Sequence, residues 1–464
     1  MSHPIAGIIL AAGKGTRMKS ELPKGLHLVL GLPMVELIGR AMKLAGVAKP
    51  IVVVGHRGEL IKEALGDGYD YAWQREQKGT GHAAMVASEF IKGHDSPVLV
   101  VPGDTPLLGA EILKELVVRH RETRAKCTLA TSLVEDPTGY GRVVRDGAGR
   151  VAGIVEERDA TPEERSIREV NAAVYCFDAP ILLTILPKLS NQNAQGEYYL
   201  TDAVSAIYRQ GEDVATLMVA DREILMGVND HWQLAQAEKA LRGRINRLHA
   251  LNGVSIVDPD STFIGLDVRI GPDTVIEPNT HIQGETSIGS KCHLGPSTKI
   301  KSCKIASGVN VYFSQVVEAT LCEGVKVGPY ANIRPGTILG KHTKVGNFVE
   351  VKKSTLGESV SVSHLTYIGD ASIGDMTNIG AGTITCNYDG FIKHQTTIGR
   401  DVFVGSNSTL VAPLTVEDGS MIAAGSVVTH NVPADALAFG RARQEVKEGW
   451  VSRWRKKKRS ENQL

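Results

Sequence analysis

The chain has 464 residues, a length that allows about three domains. Its 52 Lys and Arg balance 51 Asp and Glu for a net charge of +1, which argues against a generally basic nucleic-acid binder and against an acidic disordered chain. Hydrophobic residues are 42% and charged residues 22%, as in ordinary globular proteins, but glycine is abundant at 49 and aromatics scarce at 5%, which points to repeated tight turns and layers of small residues.

The first apolar run, Ile5–Ala12, is far shorter than the roughly 20 residues that span a bilayer. It lacks a basic leader and runs into Gly13-Lys14-Gly15, so a chain without a secretory signal, residing in the cytoplasm and not inserted in membrane, is expected. Strand candidates are Ile5–Ala11, Ile51–Val54, Val98–Val101, Cys127–Val134, Val151–Val155, Val170–Phe177 and Val214–Val219. Helix candidates fall between several of them: 34–46, with Leu37, Ile38, Ala41, Met42 and Ala45 on one face, then 82–91 and 110–120. This alternation predicts a largely parallel sheet covered on both faces, with ligands at the carboxyl ends of its strands. The six cysteines form no CxxC pair, and reduced thiols with no shared role are expected.

The segment Leu10-Ala11-Ala12-Gly13-Lys14-Gly15-Thr16-Arg17-Met18 follows the first strand. It is neither a Walker A loop nor a dinucleotide fingerprint, because Gly15 and Met18 stand where those motifs need Ser/Thr and Gly. Its small residues still let backbone N–H groups approach an anion, and Lys14 and Arg17 supply positive charge. An ordinary turn with two solvated cations is the alternative.

Residues 230–251 read as one helix, with Leu241, Ile245, Leu248 and Leu251 on an expected buried stripe. After Gly253 the period becomes six: Ile264, Ile270, Ile276, Ile282, Ile288, Leu294, Ile300; then Val327, Ile333, Leu339, Val345, Val351; Leu356, Val362, Ile368; Ile373, Ile379; and Ile398, Val404, Leu410, Val416, Ile422, Val428. Glycine often follows the aliphatic residue. This is the hexapeptide signature of a parallel β-helix, three hexads to a triangular coil, each coil stabilised by its neighbours. The rhythm breaks between Ile384 and Ile398, where Thr385–Thr397 reads as a projecting loop. The run Arg453-Trp454-Arg455-Lys456-Lys457-Lys458-Arg459 reads by itself as a nuclear signal or nucleic-acid patch, or as a solvated tail.

Leu10–Met18 with Leu22-Pro23-Lys24 resembles the nucleotidyltransferase signature of sugar-1-phosphate pyrophosphorylases. In order follow Gln74…Gln77-Lys78-Gly79-Thr80-Gly81-His82, Gly103-Asp104-Thr105-Pro106-Leu107, Thr138–Arg142, Ile154-Val155-Glu156, Gly196–Asp202 and Gly227-Val228-Asn229. The hexad half adds Arg334-Pro335-Gly336, Gly346–Lys353, His364–Tyr367, Asn378, Gly380–Thr383 and Asn387-Tyr388-Asp389-Gly390. Nearly end to end, the chain resembles the bacterial family of bifunctional N-acetylglucosamine-1-phosphate uridyltransferases and glucosamine-1-phosphate acetyltransferases, which serve cell-wall precursor synthesis.

The resemblance implies an α/β Rossmann-like nucleotidyltransferase domain (1–228), a linker helix (229–252) and a left-handed parallel β-helix acetyltransferase domain with a basic tail (253–464). It implies Mg²⁺ held by Asp104 and Asn229, with Arg17 and Lys24 stabilising the triphosphate and sugar phosphate. UTP and the UDP-sugar fall to Leu10, Ala11, Ala12, Gly13, Lys24, Gln74, Gly79, Thr80, Gly141, Glu156, Asn171 and Asn229. Acetyl transfer needs a base near neutrality, and the family's base maps onto His364, with Asn387 polarising the oxyanion or orienting the amine. Arg334, Lys352, Tyr367 and Asn378 map onto the amino-sugar phosphate, with Lys393 a further candidate. Ala381, Asn387, Tyr388, Ser406, Ala424 and Arg441 map onto acetyl-CoA, and the basic tail onto its phosphates. Partners are then these small molecules and, as in other hexad β-helices, two further copies in a homotrimer, with no nucleic acid. Two positions depart from the family: Pro102 replaces an aromatic residue, and Asn171-Ala172-Ala173 replaces Asn-Thr-Gly. His364 and the Asn387 loop separate a bifunctional enzyme from a nucleotidyltransferase with a merely assembling β-helix. Asp104 and Asn229 separate both from a non-catalytic scaffold.

Overall fold

The computed structural model describes residues 5–461, Arg222 by its backbone alone. The chain divides into two units between Ile245 and Asn246.

The first unit is built on a sheet whose strands run Val214–Met218, Cys127–Leu133, Glu169–Asp178, Pro97–Pro102, Ala6–Leu10, Ile51–Val54 and Asp70–Trp73. Neighbours are parallel except at Glu169–Asp178, which is antiparallel to both. A hairpin, Arg142–Arg145 with Val151–Val155, branches off that strand. Ile8 and Ile9 show why the strands are continuously apolar. Ile8 packs with Val53, Val98, Val100, Leu129 and Phe177, whereas Ile9 packs on the other face with Val52, Val54, Leu99, Val101 and Val174. Ala6–Leu10 lies between strands Ile51–Val54 and Pro97–Pro102, so its carboxyl end opens into the crevice where such sheets bind ligands. Strands Asp70–Trp73 and Arg142–Arg145 carry too little apolar pattern to be read from sequence. Expected helix 82–91 is an α-helix, Thr80–Ala87, followed by a 3₁₀ turn, Ser88–Ile91.

Helix His231–Leu251 forms as expected, but its stripe differs. Leu248 and Leu251 are exposed, while Ile245, Asn246 and His249 are buried. The reason is polar: the Asn246 amide donates to the carbonyls of Pro259 (2.9 Å) and Thr262 (3.0 Å), which turns that face inward.

In the second unit each strand pairs in parallel with the third strand on, except that Met421–Ile422 pairs with Leu437–Ala438, the second strand on, giving three sheets. Val345 stacks between Val327 and Val362, and Val351 between Ile333 and Ile368. The hexad residues are buried, except that Ile270 is only half-buried; its strand is the first of its sheet and stacks on one side alone. Between Ile300 and Val327 the rungs are Ile305, Val311, Val316 and Leu321. Shortened turns there slip the six-residue phase. The insert is also shorter than expected. Ile384 points outward, and Thr385 occupies the rung beside Leu410, its hydroxyl accepting the Gly369 N–H at 2.8 Å. The projecting loop therefore begins at Asn387.

A second inward position lies two residues before the aliphatic rung; some coils fill it with a small apolar residue such as Val349 or Ala371, others with Thr or Ser, among them Thr343, Thr377 and Ser408, all fully buried. Their hydroxyls donate to turn carbonyls: Thr343 to Gly357 (2.7 Å), Thr377 to Gly399 (2.8 Å), Ser408 to Gly405 (2.6 Å). The glycine after the rung answers to coil spacing. A Cβ on Gly405 would lie 2.4 Å from the Ala424 nitrogen. Gly405→Ala is therefore expected to lower the stability of this unit by about 1–3 kcal/mol, read as a lower thermal midpoint.

Candidate functional sites

In the first unit the glycine-rich loop leaves the strand Ala6–Leu10. Gly15 has φ +59, and a Cβ there would meet the Lys24 side chain at 2.9 Å, so its bareness lets Lys24 cross the loop. The Lys24 ammonium donates to the Asp104 carboxylate and, at 2.8 Å, to Asn229 Oδ1. The Arg17 guanidinium donates to the same oxygen at 2.8 Å. Four residues from three distant segments thus converge. Their backbones are tied by Val228 N–H to the Asp104 carbonyl (2.8 Å) and Asn229 N–H to Gln233 Oε1 (2.7 Å). A small core of Val29, Met34, Leu37, Leu107, Val228 and Ala237 lies among the same segments.

The donor set suits a divalent cation. One carboxylate and one amide oxygen already converge on a single positive group, leaving other positions for water and phosphate oxygens, as magnesium prefers.

Gln74 is buried, its amide donating to the Gly79 carbonyl (3.0 Å) and approaching His82 Nδ1 (2.9 Å). Gly79 has φ +99 and sits so close to the Tyr198 carbonyl that a Cβ would fall 2.5 Å from it. The Thr80 hydroxyl is engaged by the Leu200 N–H at 3.1 Å. Gln77, absent from the expected site, donates to the Gln74 carbonyl at 3.2 Å and lines the same cleft as Lys14 and Gln74. Its side on the cleft wall was not visible in a linear motif.

Gly141, Glu156 and Asn171 come together. Asn171 N–H donates to the Gly141 carbonyl at 2.8 Å, and a Cβ on Gly141 would lie 3.5 Å from the Glu156 carboxylate. Burial pushes the Glu156 carboxyl up from its ordinary range, partly opposed by the Thr201 hydroxyl, which donates to it at 3.1 Å. Pro102 ends its strand opposite Leu10. Ala173, the third residue of Asn171-Ala172-Ala173, has φ +58.

In the second unit one corner of the prism carries His364, Ala381, Ser406 and Ala424 on successive coils. Gly382 N–H donates to the His364 carbonyl (3.3 Å), Asn407 N–H to Ala381 (2.7 Å) and Gly425 N–H to Ser406 (2.8 Å). Arg441 follows beside Gly425. The exposed His364 imidazole therefore stands at the end of a column of small residues. Asn378 lies on the adjoining strand, level with Ser361.

The neighbouring sheet face gathers cations. Arg334 lies beside Lys352 through its N–H to the Val351 carbonyl (2.9 Å) and is held by Glu350 at 2.7 Å. The Lys393 ammonium beside Lys352 draws the Lys352 pKa below its ordinary value, and Arg334 adds to this. Lys393 thus joins the expected cluster. Tyr367 Oη and Asn387 Nδ2 both lie over Gly369, 2.3 and 2.8 Å from where a Cβ would stand. Asn387 is buried and donates to Asp370 at 2.5 Å. His364 ends its strand at one edge of this face, and Asn387 leaves it at the other.

Asp389 organises the projecting loop. It accepts from the Phe391 and Ile392 N–H groups (2.8 Å each) and pairs with His394 Nε2 at 2.7 Å. Tyr388 is exposed, its hydroxyl donating to the Gly390 carbonyl at 2.6 Å. The His394 bond, then the two N–H groups, pull the Asp389 carboxyl down to about 2. Because this pKa is lower in the fold than in the free chain, the stabilisation is complete above about pH 4 and fades as pH falls towards the folded value. Asp389→Ala is expected to speed hydrogen exchange at Phe391 and Ile392 and to slow acetyl transfer about tenfold. Unchanged exchange at both amides would contradict this role.

Among the described residues no helix is long and apolar enough to cross a membrane, and no group of three or more His, Cys, Asp or Glu forms a metal cluster. The terminal helix Trp450–Glu461 carries the basic run, with Trp450 and Trp454 stacked at 6.1 Å.

Residues 6–233 match the nucleotidyl transferase family. Residues 267–302 and 318–353 match the bacterial transferase hexapeptide (six repeats), and 395–430 the hexapeptide repeat of succinyl-transferase. The "Bifunctional protein GlmU" of Pelobacter propionicus is 49% identical over 98% of this chain and 99% of its own length. That of Heliobacterium modesticaldum is 48% identical over 97% and 98%, and that of Acetivibrio thermocellus 45% identical over 96% and 97%.

Proposed function

The chain belongs to the bifunctional GlmU family, and from that premise we propose how its residues divide two reactions. The protein is a bifunctional transferase of UDP-N-acetylglucosamine synthesis. It moves acetyl from acetyl-CoA to glucosamine 1-phosphate, then uridylyl from UTP to N-acetylglucosamine 1-phosphate with release of pyrophosphate.

For acetyl transfer, Arg334, Lys352, Lys393 and Tyr367 hold the sugar phosphate, and Asn378 adjoins them. His364 takes the amine proton as the nitrogen bonds to the thioester carbonyl carbon. The C–S bond then breaks, and the thiolate leaves with coenzyme A. Asn387 supplies hydrogen bonding to the developing oxyanion. The column Ala381–Ser406–Ala424 offers a flat edge for the pantetheine arm, with Tyr388, Arg441 and the basic tail serving the rest of the cofactor.

For uridylyl transfer, positioning and charge neutralisation are the enzyme's levers. Leu10, Ala11, Ala12, Gly13, Gln74, Gly79 and Thr80 receive the nucleotide, and Gly141, Glu156 and Asn171 the sugar. Arg17 and Lys24 neutralise the phosphates as the sugar-phosphate oxygen bonds to the α-phosphorus and pyrophosphate leaves. Asp104 and Asn229 would hold Mg²⁺, which when bound would neutralise phosphate charge. The observation that carries this reading is the convergence of Asp104 and Asn229 on the Lys24 ammonium. A homotrimer in the cytoplasm is proposed with it; the hexapeptide repeats support the assembly. Chelation by EDTA is expected to abolish pyrophosphate release while leaving CoA release intact. Retained pyrophosphate release without divalent cation would remove the metal assignment.

A further inference from the structure

We propose that Tyr175 is a positioning residue of the uridylyl site: its buried hydroxyl sets the orientation of the Asn171 amide. The proposal rests on the reading that Asn171 holds the amino sugar. Strand Glu169–Asp178 pairs with Cys127–Leu133 but loses register between Asn171 and Tyr175. Within that bulge Ala173 takes φ +58, a left-handed conformation that an L-residue adopts only at a cost.

The bulge brings Tyr175 back to Asn171. Asn171 Nδ2 donates to Tyr175 Oη at 2.7 Å, and Ala173 N–H donates to Asn171 Oδ1 at 3.0 Å. Both ends of the amide are thereby assigned. Exchanging them would set an NH₂ group against the Ala173 N–H, donor against donor. One amide N–H and one lone pair of Oδ1 remain for a ligand, in a single fixed orientation.

The core alone does not explain the hydroxyl. Tyr175 is 2% exposed and stacks on Phe177 at 5.5 Å, a place that an unsubstituted ring would fill equally well. A buried phenol needs a partner, and the partner here is Asn171. Burial, with the nearby Glu156 charge, raises the phenol's pKa, so the group is a neutral hydroxyl. Asn171 is itself 8% exposed, so without this bond its amide would be held at Oδ1 alone, by the Ala173 N–H.

The test is a double-mutant cycle in the full-length protein, with N-acetylglucosamine 1-phosphate and UTP varied separately. Tyr175→Phe is expected to raise KM for the sugar phosphate about fivefold, the loss of one ordinary hydrogen bond. KM for UTP and the rate of acetyl transfer should not change. Asn171→Ala should raise the same KM at least as far, and adding Tyr175→Phe to it should add little. An unchanged sugar KM in Tyr175→Phe overturns the proposal, as does an effect that persists in full in the Asn171→Ala background. If Asn171→Ala itself leaves the sugar KM unchanged, the sugar-site reading fails and takes this proposal with it. Tyr175→His, which keeps a ring and a polar edge, enters the same cycle should the phenylalanine variant not fold.

Discussion

His364→Ala is expected to lower CoA release from acetyl-CoA and glucosamine 1-phosphate by about 10²- to 10⁴-fold, the usual worth of a positioned general base. Pyrophosphate release from UTP and N-acetylglucosamine 1-phosphate should be unaffected. The asymmetry follows from placement. His364 is exposed at a corner of the β-helix, so its truncation opens no core cavity. The rungs that hold that corner, Val345, Val362 and Ile379, are buried and remain in place. Parallel thiol and pyrophosphate assays check this, and an equal fall in both would count against separate sites.

Asp104→Ala is expected to do the converse, lowering pyrophosphate release by about 10²-fold or more, as when one preorganised electrostatic group is removed. It takes away the only carboxylate in the Lys24–Arg17–Asn229 group and leaves Lys24 with the Asn229 amide alone. Asp104→Asn should fall nearly as far, because charge rather than shape is lost. Acetyl transfer should remain at its full rate in both variants. Undiminished cation-dependent uridylyl transfer in either would remove Asp104 from the site.

The β-helix was legible because each rung needs one aliphatic side chain, and a residue like Val345 or Val404 announces its phase six residues from the next. Ile305 to Leu321 escaped because shortened turns break the count without breaking the stack. Thr385 escaped because a hydroxyl, satisfied by the Gly369 N–H, fills a place that periodicity assigns to an aliphatic. Leu248 and Leu251 fit a helical stripe by spacing, yet two amide bonds from Asn246 decide which face turns in. In the sites, contiguous motifs marked Lys24, Asp104 and His364. What they did not carry is convergence. Lys393 meets Lys352 only because the loop after Asn387 folds back, Gln77 reaches its cleft only through a turn, and Tyr175 meets Asn171 only across a bulge.

The most direct measurement mixes the two crippled proteins. Glucosamine 1-phosphate, acetyl-CoA, UTP and Mg²⁺ are supplied to His364→Ala alone, to Asp104→Ala alone, and to an equal mixture, and UDP-N-acetylglucosamine is followed by mass. Each variant alone should form it only at its small residual rate, and the mixture far faster, because the acetylated sugar phosphate made by one protein is the substrate of the other. A mixture as inert as its components would contradict the assignment of one reaction to each unit.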